Sequence, residues 1–143
     1  MSIYADPSFL VSLYVSDVHS AAASRVMRRA LLPVLMTPLG ELELLNALHL
    51  RLFRDELTAT EIKAAATLFR DDIGEGILSL KSLSASIFER AKMISRSQTA
   101  SLGTRTLDIL HVASALVLHA DTFCTFDKSQ RQLAKMEGLT TPV

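Results

Sequence analysis

Acidic residues stand at four separated places in this sequence, each against an apolar background. Asp6 closes the β-prone run "SIYA" (2–5). Glu41 and Glu43 come early in "PLGELELLNALHLRLFRDE", Asp108 lies near the start of "TLDILHVASALVLHA" (106–120), and Asp127 follows "TFCTF" (122–126). Singly, each has an ordinary explanation. A carboxylate in a first helical turn gains about 0.3–1 kcal/mol from the helix dipole, and acids after strands often make turns. Together they pose an electrostatic problem, because two carboxylates ~5 Å apart repel by about 3 kcal/mol at an effective dielectric of 20. Such a cluster requires protonation or a neutralising cation. An all-oxygen donor set, with no His or Cys at zinc-type spacing, suits Mg²⁺ or Mn²⁺ better than zinc.

Whether the acids meet depends on the elements that carry them. "SIYA" reads as a strand followed by a helix beginning near Ser8. "VHSAAASRVMRRALL" (18–32) reads as a helix stopped by Pro33, and "VLM" (34–36) as a strand, with Pro38 opening a long helix. Thr58 or Thr60 caps the next helix, Glu61 standing three residues after Thr58 as in a capping box. "DIGEG" breaks that helix before a third strand, "ILSL" (77–80). Ser84 or Ser86 starts a helix through "IFERAKMISRS" that a loop around Gly103 ends, and Thr106 caps the following one. "TFCTF" is a fourth strand, "KSQRQLAKME" a helix stopped by Gly138, and "LTTPV" a candidate edge strand, where Pro142 is tolerated.

Strands alternating with helices imply crossover connections, hence a three-layer α/β/α sandwich around a mostly parallel sheet of four to five strands. Ligands of such sheets bind at the carboxyl ends of the strands. Asp6 and Asp127 directly follow strands, and the helix carrying Glu41 and Glu43 starts at the same edge. The helix that feeds strand four runs opposite to it, so Asp108 in its first turn points back to that edge too. Four distant acids are expected on one rim.

With 143 residues, about half of them hydrophobic, the chain is expected to form one domain. No apolar stretch reaches the ~18 residues of a membrane span, and no basic segment precedes an apolar one, so neither membrane insertion nor secretion is expected. The single cysteine, Cys124, excludes an internal disulfide framework and suits a reducing cytoplasm. A formal net charge of zero argues against coating nucleic acid by bulk electrostatics but leaves room for a basic rim around an acidic centre.

These segments resemble the motifs of PIN domains. "IYADPSFLVSLY" is similar to the opening D-x-S motif, "ELELLNAL" to the helical Glu segment, "LDILHVASAL" to the D-x-x-H/I-x-A-A-A helix, and "TFDKSQRQLA" to the closing T-x-D segment. They fall in that order from residue 3 to 134, and the nearest subgroup is the VapC-like toxins. The resemblance implies a metal-dependent endoribonuclease that hydrolyses RNA phosphodiesters with a metal-activated water. It also implies a homodimer held inactive by a small VapB-type antitoxin. By position the metal-binding acids are Asp6, Glu43, Asp108 and Asp127, the last at the family's most variable position. Asp6 and Asp108 would hold the main ion, while Glu43 and Asp127 complete the site or orient the water. The choice of Glu43 over Glu41 comes from the motif, supported by helical rows: Glu41 aligns with Leu45, Leu48 and Leu52, which look core-like, and Glu43 with Asn46, Ala47, Leu50 and Arg54. Ser8 and Thr125 match polar family positions that support an acid or a metal-bound water.

Of the basic residues near the rim, Arg105 and Lys128 are selected as phosphate contacts. Arg51, Arg54 and Arg131 are read as solvated charge. His111, one turn beyond Asp108 on the same face, could donate a hydrogen bond in support of the site, but a packed or surface histidine is expected. Cys124 is expected to be a small buried residue, and Asp71 and Asp72 parts of a helix-end turn. Two other classes compete. A phosphoacceptor signalling domain needs an Asp after strand three, which "ILSLKSL" lacks. A catalytically idle PIN-like module would bind RNA or protein without cleaving.

Overall fold

The computed structural model describes residues 1–143. Its centre is a parallel sheet in the order β3-β2-β1-β4, formed by β1 (Ser2–Ala5), β2 (Leu31–Met36), β3 (Leu78–Leu80) and β4 (Thr122–Cys124). Side chains alternate across β1 as a pleated strand requires. Ile3 and Ala5 enter one core, while Tyr4 enters the other. β4 divides likewise, Cys124 joining the first core and Phe123 the second.

On the first face pack α1 (Pro7–Tyr14), α2 (Ser20–Met27), α3 (Pro38–Phe53) and α4 (Ala59–Gly74), contributing Phe9, Leu10, Ala23, Leu44, Leu48, Ile62 and Phe69. On the second lie α5 (Ala85–Ile94), α7 (Thr106–Val117) and α8 (Lys128–Met136), contributing Ile87, Ile94, Ile109, Leu110, Val112 and Leu133. A π turn (Ser95–Thr99) and the short α6 (Ala100–Leu102) join α5 to α7, ending at Gly103 with φ +64°. Each of the larger side chains, fully buried, contributes about 1.5–3 kcal/mol of apolar transfer free energy. These two cores hold the strand ends in fixed register. This is the three-layer α/β/α arrangement expected from the alternation of elements. No helix is long and apolar enough to cross a membrane.

Helix starts follow their local chemistry. Asp6 caps α1 by accepting from the Phe9 N–H, Thr58 and Glu61 form a reciprocal capping box on α4, and Ser84 caps α5. Several boundaries differ from the sequence reading. The helix expected over 18–32 ends at Met27, and Leu31, Leu32 and Pro33 belong to β2. Pro33 lies where the β1–β2 register shifts between the Ser2–Leu31 and Tyr4–Leu35 pairs, a place where a missing N–H breaks no regular ladder. Thr106 is the first residue of α7 rather than its cap; Arg105 holds the cap position without a side-chain cap bond. The strand expected over 122–126 ends at Cys124. The C-terminal "LTTPV" supplies one parallel bridge, Thr140 to Thr122, instead of a full edge strand. On α3 the buried row is Gly40, Leu44 and Leu48, with Leu45 half-buried and Leu52 exposed, so Glu41 shares only Leu48 of its expected row with the core.

Candidate functional site

Parallel strands deliver their carboxyl ends to one edge, and there a cleft of about 250 Å³ opens. Its lining includes Asp6, Ser8, Glu43, Arg105, Asp108, His111 and Asp127. The structure thus brings Asp6, Glu43, Asp108 and Asp127 to one cleft. Thr125 stands behind Asp6, and Ser8 is at the wall. Glu41 does not line the cleft, nor does Lys128, the exposed first residue of α8.

Asp6 is 4% exposed and closely held. Its Oδ1 accepts from the Ser8 hydroxyl (2.7 Å) and the Phe9 N–H (3.1 Å), and its Oδ2 accepts from the Thr125 hydroxyl (2.6 Å). Because β4 stops at Cys124, Thr125 leaves the ladder, and its hydroxyl also accepts from the Asp127 N–H (3.0 Å). The Ser8 oxygen accepts from the Phe126 N–H (2.9 Å). A carboxylate accepts about four hydrogen bonds, so Oδ2 keeps one position free. Burial pushes the Asp6 carboxyl above its ordinary range, although Thr125, Ser8, the Phe9 N–H and His111 all pull it down. No basic side chain pairs with this carboxylate. Burial beside Asp6 likewise pushes the Cys124 thiol up to about 12, so Cys124 acts as a small buried residue, as expected.

Glu43 is oriented from below. Its Oε1 lies 2.6 Å from His111 Nε2, and His111 Nδ1 lies 2.8 Å from the Tyr4 hydroxyl, which stands 3.5 Å from Thr37 Oγ1. Burial raises the Tyr4 phenol well above its usual range, so it keeps its proton and shares a hydrogen bond with Nδ1. A carboxylate only accepts, so His111 carries a proton on Nε2 and donates it to Glu43. His111 is 2% exposed, so it is packed, as expected, but it also orients an acid of the cleft. The sequence ranked that role second, from the position of His111 a turn beyond Asp108; the acid it holds, Glu43, lies on another helix.

Across the cleft, Arg105 Nε donates to Asp108 Oδ2 (3.0 Å), and Arg105 Nη2 lies 3.6 Å from Asp127 Oδ2. Asp127 caps α8 by accepting from the Gln130 N–H (2.9 Å). The Gln130 amide donates to the Asp108 carbonyl (3.3 Å), tying the starts of α7 and α8 together. Two arginines read as solvated charge are engaged: Arg131 donates to the Thr125 carbonyl (3.3 Å), and Arg51 pairs with Asp17 (3.5 Å). Asp72, read as part of a turn, accepts from the Tyr14 hydroxyl (2.6 Å).

As the side chains lie, no three His, Cys, Asp or Glu groups stand close enough to hold a metal ion together. The donor chemistry nonetheless fits a hard divalent cation. Four carboxylates face one guanidinium in a single cleft, the most buried of them has hydroxyl support and a free acceptor position, and no thiolate is present.

Solved structures share this architecture. VapC20 from Mycobacterium tuberculosis, titled a sarcin–ricin loop cleaving toxin, aligns with a TM-score of 0.71 at 17% identity, covering 92% of this chain and 94% of its own. FitAcB from Neisseria gonorrhoeae aligns with a TM-score of 0.67 at 14% identity, covering 97% and 95%. No curated protein matches the sequence significantly. The PIN domain family model matches residues 3–136, a span that holds all four acids and both cores' strands. Matched along nearly its whole length, the chain belongs to the PIN domain family.

Proposed function

We propose that this protein is a metal-dependent endoribonuclease, the toxin of a type II toxin–antitoxin pair, using Mg²⁺ or Mn²⁺. The observation that carries the reading is the arrival of Asp6, Glu43, Asp108 and Asp127, from four separate segments, in one cleft at the carboxyl edge of the sheet. Family membership and the likeness to the toxin VapC20 support it.

In this reading Asp6 and Asp108 hold the principal cation, and Glu43 and Asp127 complete the site or orient water. When bound, the cation draws charge from a phosphate oxygen and lowers the pKa of a nearby water. Ser8, Thr125 and the Phe9 N–H fix the Asp6 carboxylate, so its free acceptor position needs little reorganisation. His111 holds Glu43 in the same manner. No side-chain nucleophile is required.

Arg105 occupies the acids Asp108 and Asp127 while being 71% exposed. With those acids holding a cation, the Arg105 guanidinium would be free to contact the RNA phosphate. Exposed pairs of this kind are worth about 0.2–1 kcal/mol, so Arg105→Gln tightens Mn²⁺ binding by roughly 1.4- to 5-fold in calorimetry. The same change weakens RNA binding and flattens its salt dependence by about 0.7 in log K per log salt, the loss of one phosphate contact. Tighter Mn²⁺ with unaltered RNA affinity would remove Arg105 from the RNA site.

In the cell the protein acts as a cytoplasmic homodimer, silenced by a small VapB-type antitoxin. Exposed apolar side chains on α3 and α4 (Leu42, Leu50, Phe53, Leu68) and on α5 and α7 (Phe88, Met93, Leu107) are surfaces that such partners would cover.

A PIN domain that binds RNA without cutting it has one observation in its favour, the absence of three converged ligands. One assay separates the two readings. Purified protein incubated with total RNA cleaves it with Mg²⁺ or Mn²⁺ and not with chelator. Intact RNA at millimolar metal, with binding retained, favours the idle module.

A further inference from the structure

Beside the acid cleft lies a second cavity of about 340 Å³, and the two share Ser8, Val11, Ala47 and Asp127 as walls. Its size falls within the ~300–1,000 Å³ typical of small-ligand clefts. It is lined further by His19, Phe126 and Arg51. Three near-parallel rings lead from the core to this cavity. Phe9 is buried, Phe126 is half-buried and stacked with it (5.8 Å, 20°), and His19 is exposed and stacked with Phe126 (4.3 Å, 11°).

The backbone that carries the outer ring is anchored. The His19 N–H donates to Asp17 Oδ1 (2.8 Å), and Asp17 also accepts from the hydroxyls of Ser12 (2.9 Å) and Ser20 (3.3 Å) and from Arg51 (3.5 Å). Burial alone would raise the Asp17 carboxyl, but the His19 N–H, Ser12, Arg51 and Ser20 hold it below the ordinary range. The inner ring is locked to the acid cleft: Phe126 sits between Thr125 and Asp127, and its N–H donates to Ser8. Arg51, with a single 3.5 Å contact, keeps most of its five N–H donors available.

An exposed aromatic ring, stacked on Phe126 beside the acid cleft and flanked by a guanidinium, suits single-stranded nucleic acid. Base stacking on such platforms is worth about 1–3 kcal/mol per base. Cleaved RNA must present its unpaired nucleotides somewhere near the acids. We propose that His19, backed by Phe126, stacks on a nucleobase neighbouring the cleaved phosphate, while Arg51 contacts an adjoining phosphate. The proposal rests on the ribonuclease reading and adds to it a base subsite on the α1–α2 side of the cleft. No covalent step is involved.

The test is fluorescence anisotropy of the full chain, in chelator so that nothing is cleaved, with a labelled single-stranded eight-nucleotide RNA. His19→Ala weakens binding by about 5- to 150-fold, and His19→Phe restores it. Removing the base at one position of the RNA weakens wild type by a similar factor and His19→Ala hardly at all. Unchanged thermal melting of His19→Ala excludes a folding defect. Equal RNA affinity for wild type and His19→Ala overturns the proposal, as would be found if the rings instead received a protein. So does competition by inorganic polyphosphate as effective as that by RNA. Wild-type cleavage with Mg²⁺ and no His19 effect sinks the subsite while sparing the nuclease. A His19 effect without any cleavage keeps the subsite and sinks the nuclease.

Discussion

Asp6→Asn lowers RNA cleavage by at least about 10²–10³-fold, the loss expected when one preorganised electrostatic element of a site is removed, while the protein stays folded. Asparagine serves as an N-cap as well as aspartate, and its carbonyl still accepts from Ser8 and the Phe9 N–H. The charge that would hold the cation is lost. Stability responds in a diagnostic way. Burial raises the Asp6 pKa in the folded state above the unfolded value of about 3.9, so the folded protein binds more protons between the two values. The stability contribution is therefore fully present below about pH 3.9 and is lost as pH rises through the folded pKa. In chelator, wild type loses stability with rising pH over that window relative to Asp6→Asn. A divalent cation restores it in wild type alone, through binding to the native state. Urea unfolding from pH 4 to 8, with and without Mn²⁺, reads both effects. Parallel curves for the two proteins, or retained cleavage by the variant, contradict the role given to Asp6.

His111→Ala has the second large effect. The ring is nearly inaccessible and joins Tyr4 to Glu43, a link from the second core to the cleft. Its removal leaves the buried Tyr4 hydroxyl without its best partner, at about 1–3 kcal/mol, and opens a cavity between α7 and Gly40, whose Cα lies beneath the ring edge. A total loss of about 2–4 kcal/mol follows. Glu43 also loses its orienting donor, and Mn²⁺ affinity falls by about 10–100-fold, as for other residues that hold a metal ligand in place. His111→Gln, which keeps an amide N–H near Glu43, recovers part of the metal affinity but not the stability. Tyr4→Phe keeps the ring's stack on Phe123 but leaves the buried Nδ1 unpaired, so it costs about 1–3 kcal/mol of stability while Nε2 still holds Glu43. If His111→Ala melts earlier yet binds Mn²⁺ as wild type does, the histidine is a packing residue only.

The sheet, the two helical layers and the acid rim were legible because alternation of apolar runs with capped helices specifies crossovers, and crossovers specify which ends of the elements meet. The Thr58–Glu61 box and the Ser84 cap were readable for the same local reason. The α2–β2 boundary was not, since the short apolar run before Pro33 suits a helix end and a buried strand equally, and only pairing with β1 decides it. The shift from Thr106 to Arg105 at the start of α7 is a one-residue cap ambiguity, but it places a cation rather than a hydroxyl at the mouth of the cleft. The orienting role of His111 ranked below plain packing for a different reason. Amid Ile109, Leu110 and Val112 it looks like any packed histidine, and its partners, Tyr4 and Glu43, lie 107 and 68 residues away. The pairing of His19 with Phe126 is equally invisible along the chain.

Anomalous diffraction from crystals soaked in Mn²⁺ shows whether the four acids form a cation site. A Mn²⁺ peak is expected bonded to carboxylate oxygens of Asp6 and Asp108 at about 2.0–2.3 Å, with Glu43 still held by His111 and Arg105 turned away from Asp108. A peak outside the cleft, or none at millimolar Mn²⁺ with Arg105 still seated on Asp108 and Asp127, contradicts it.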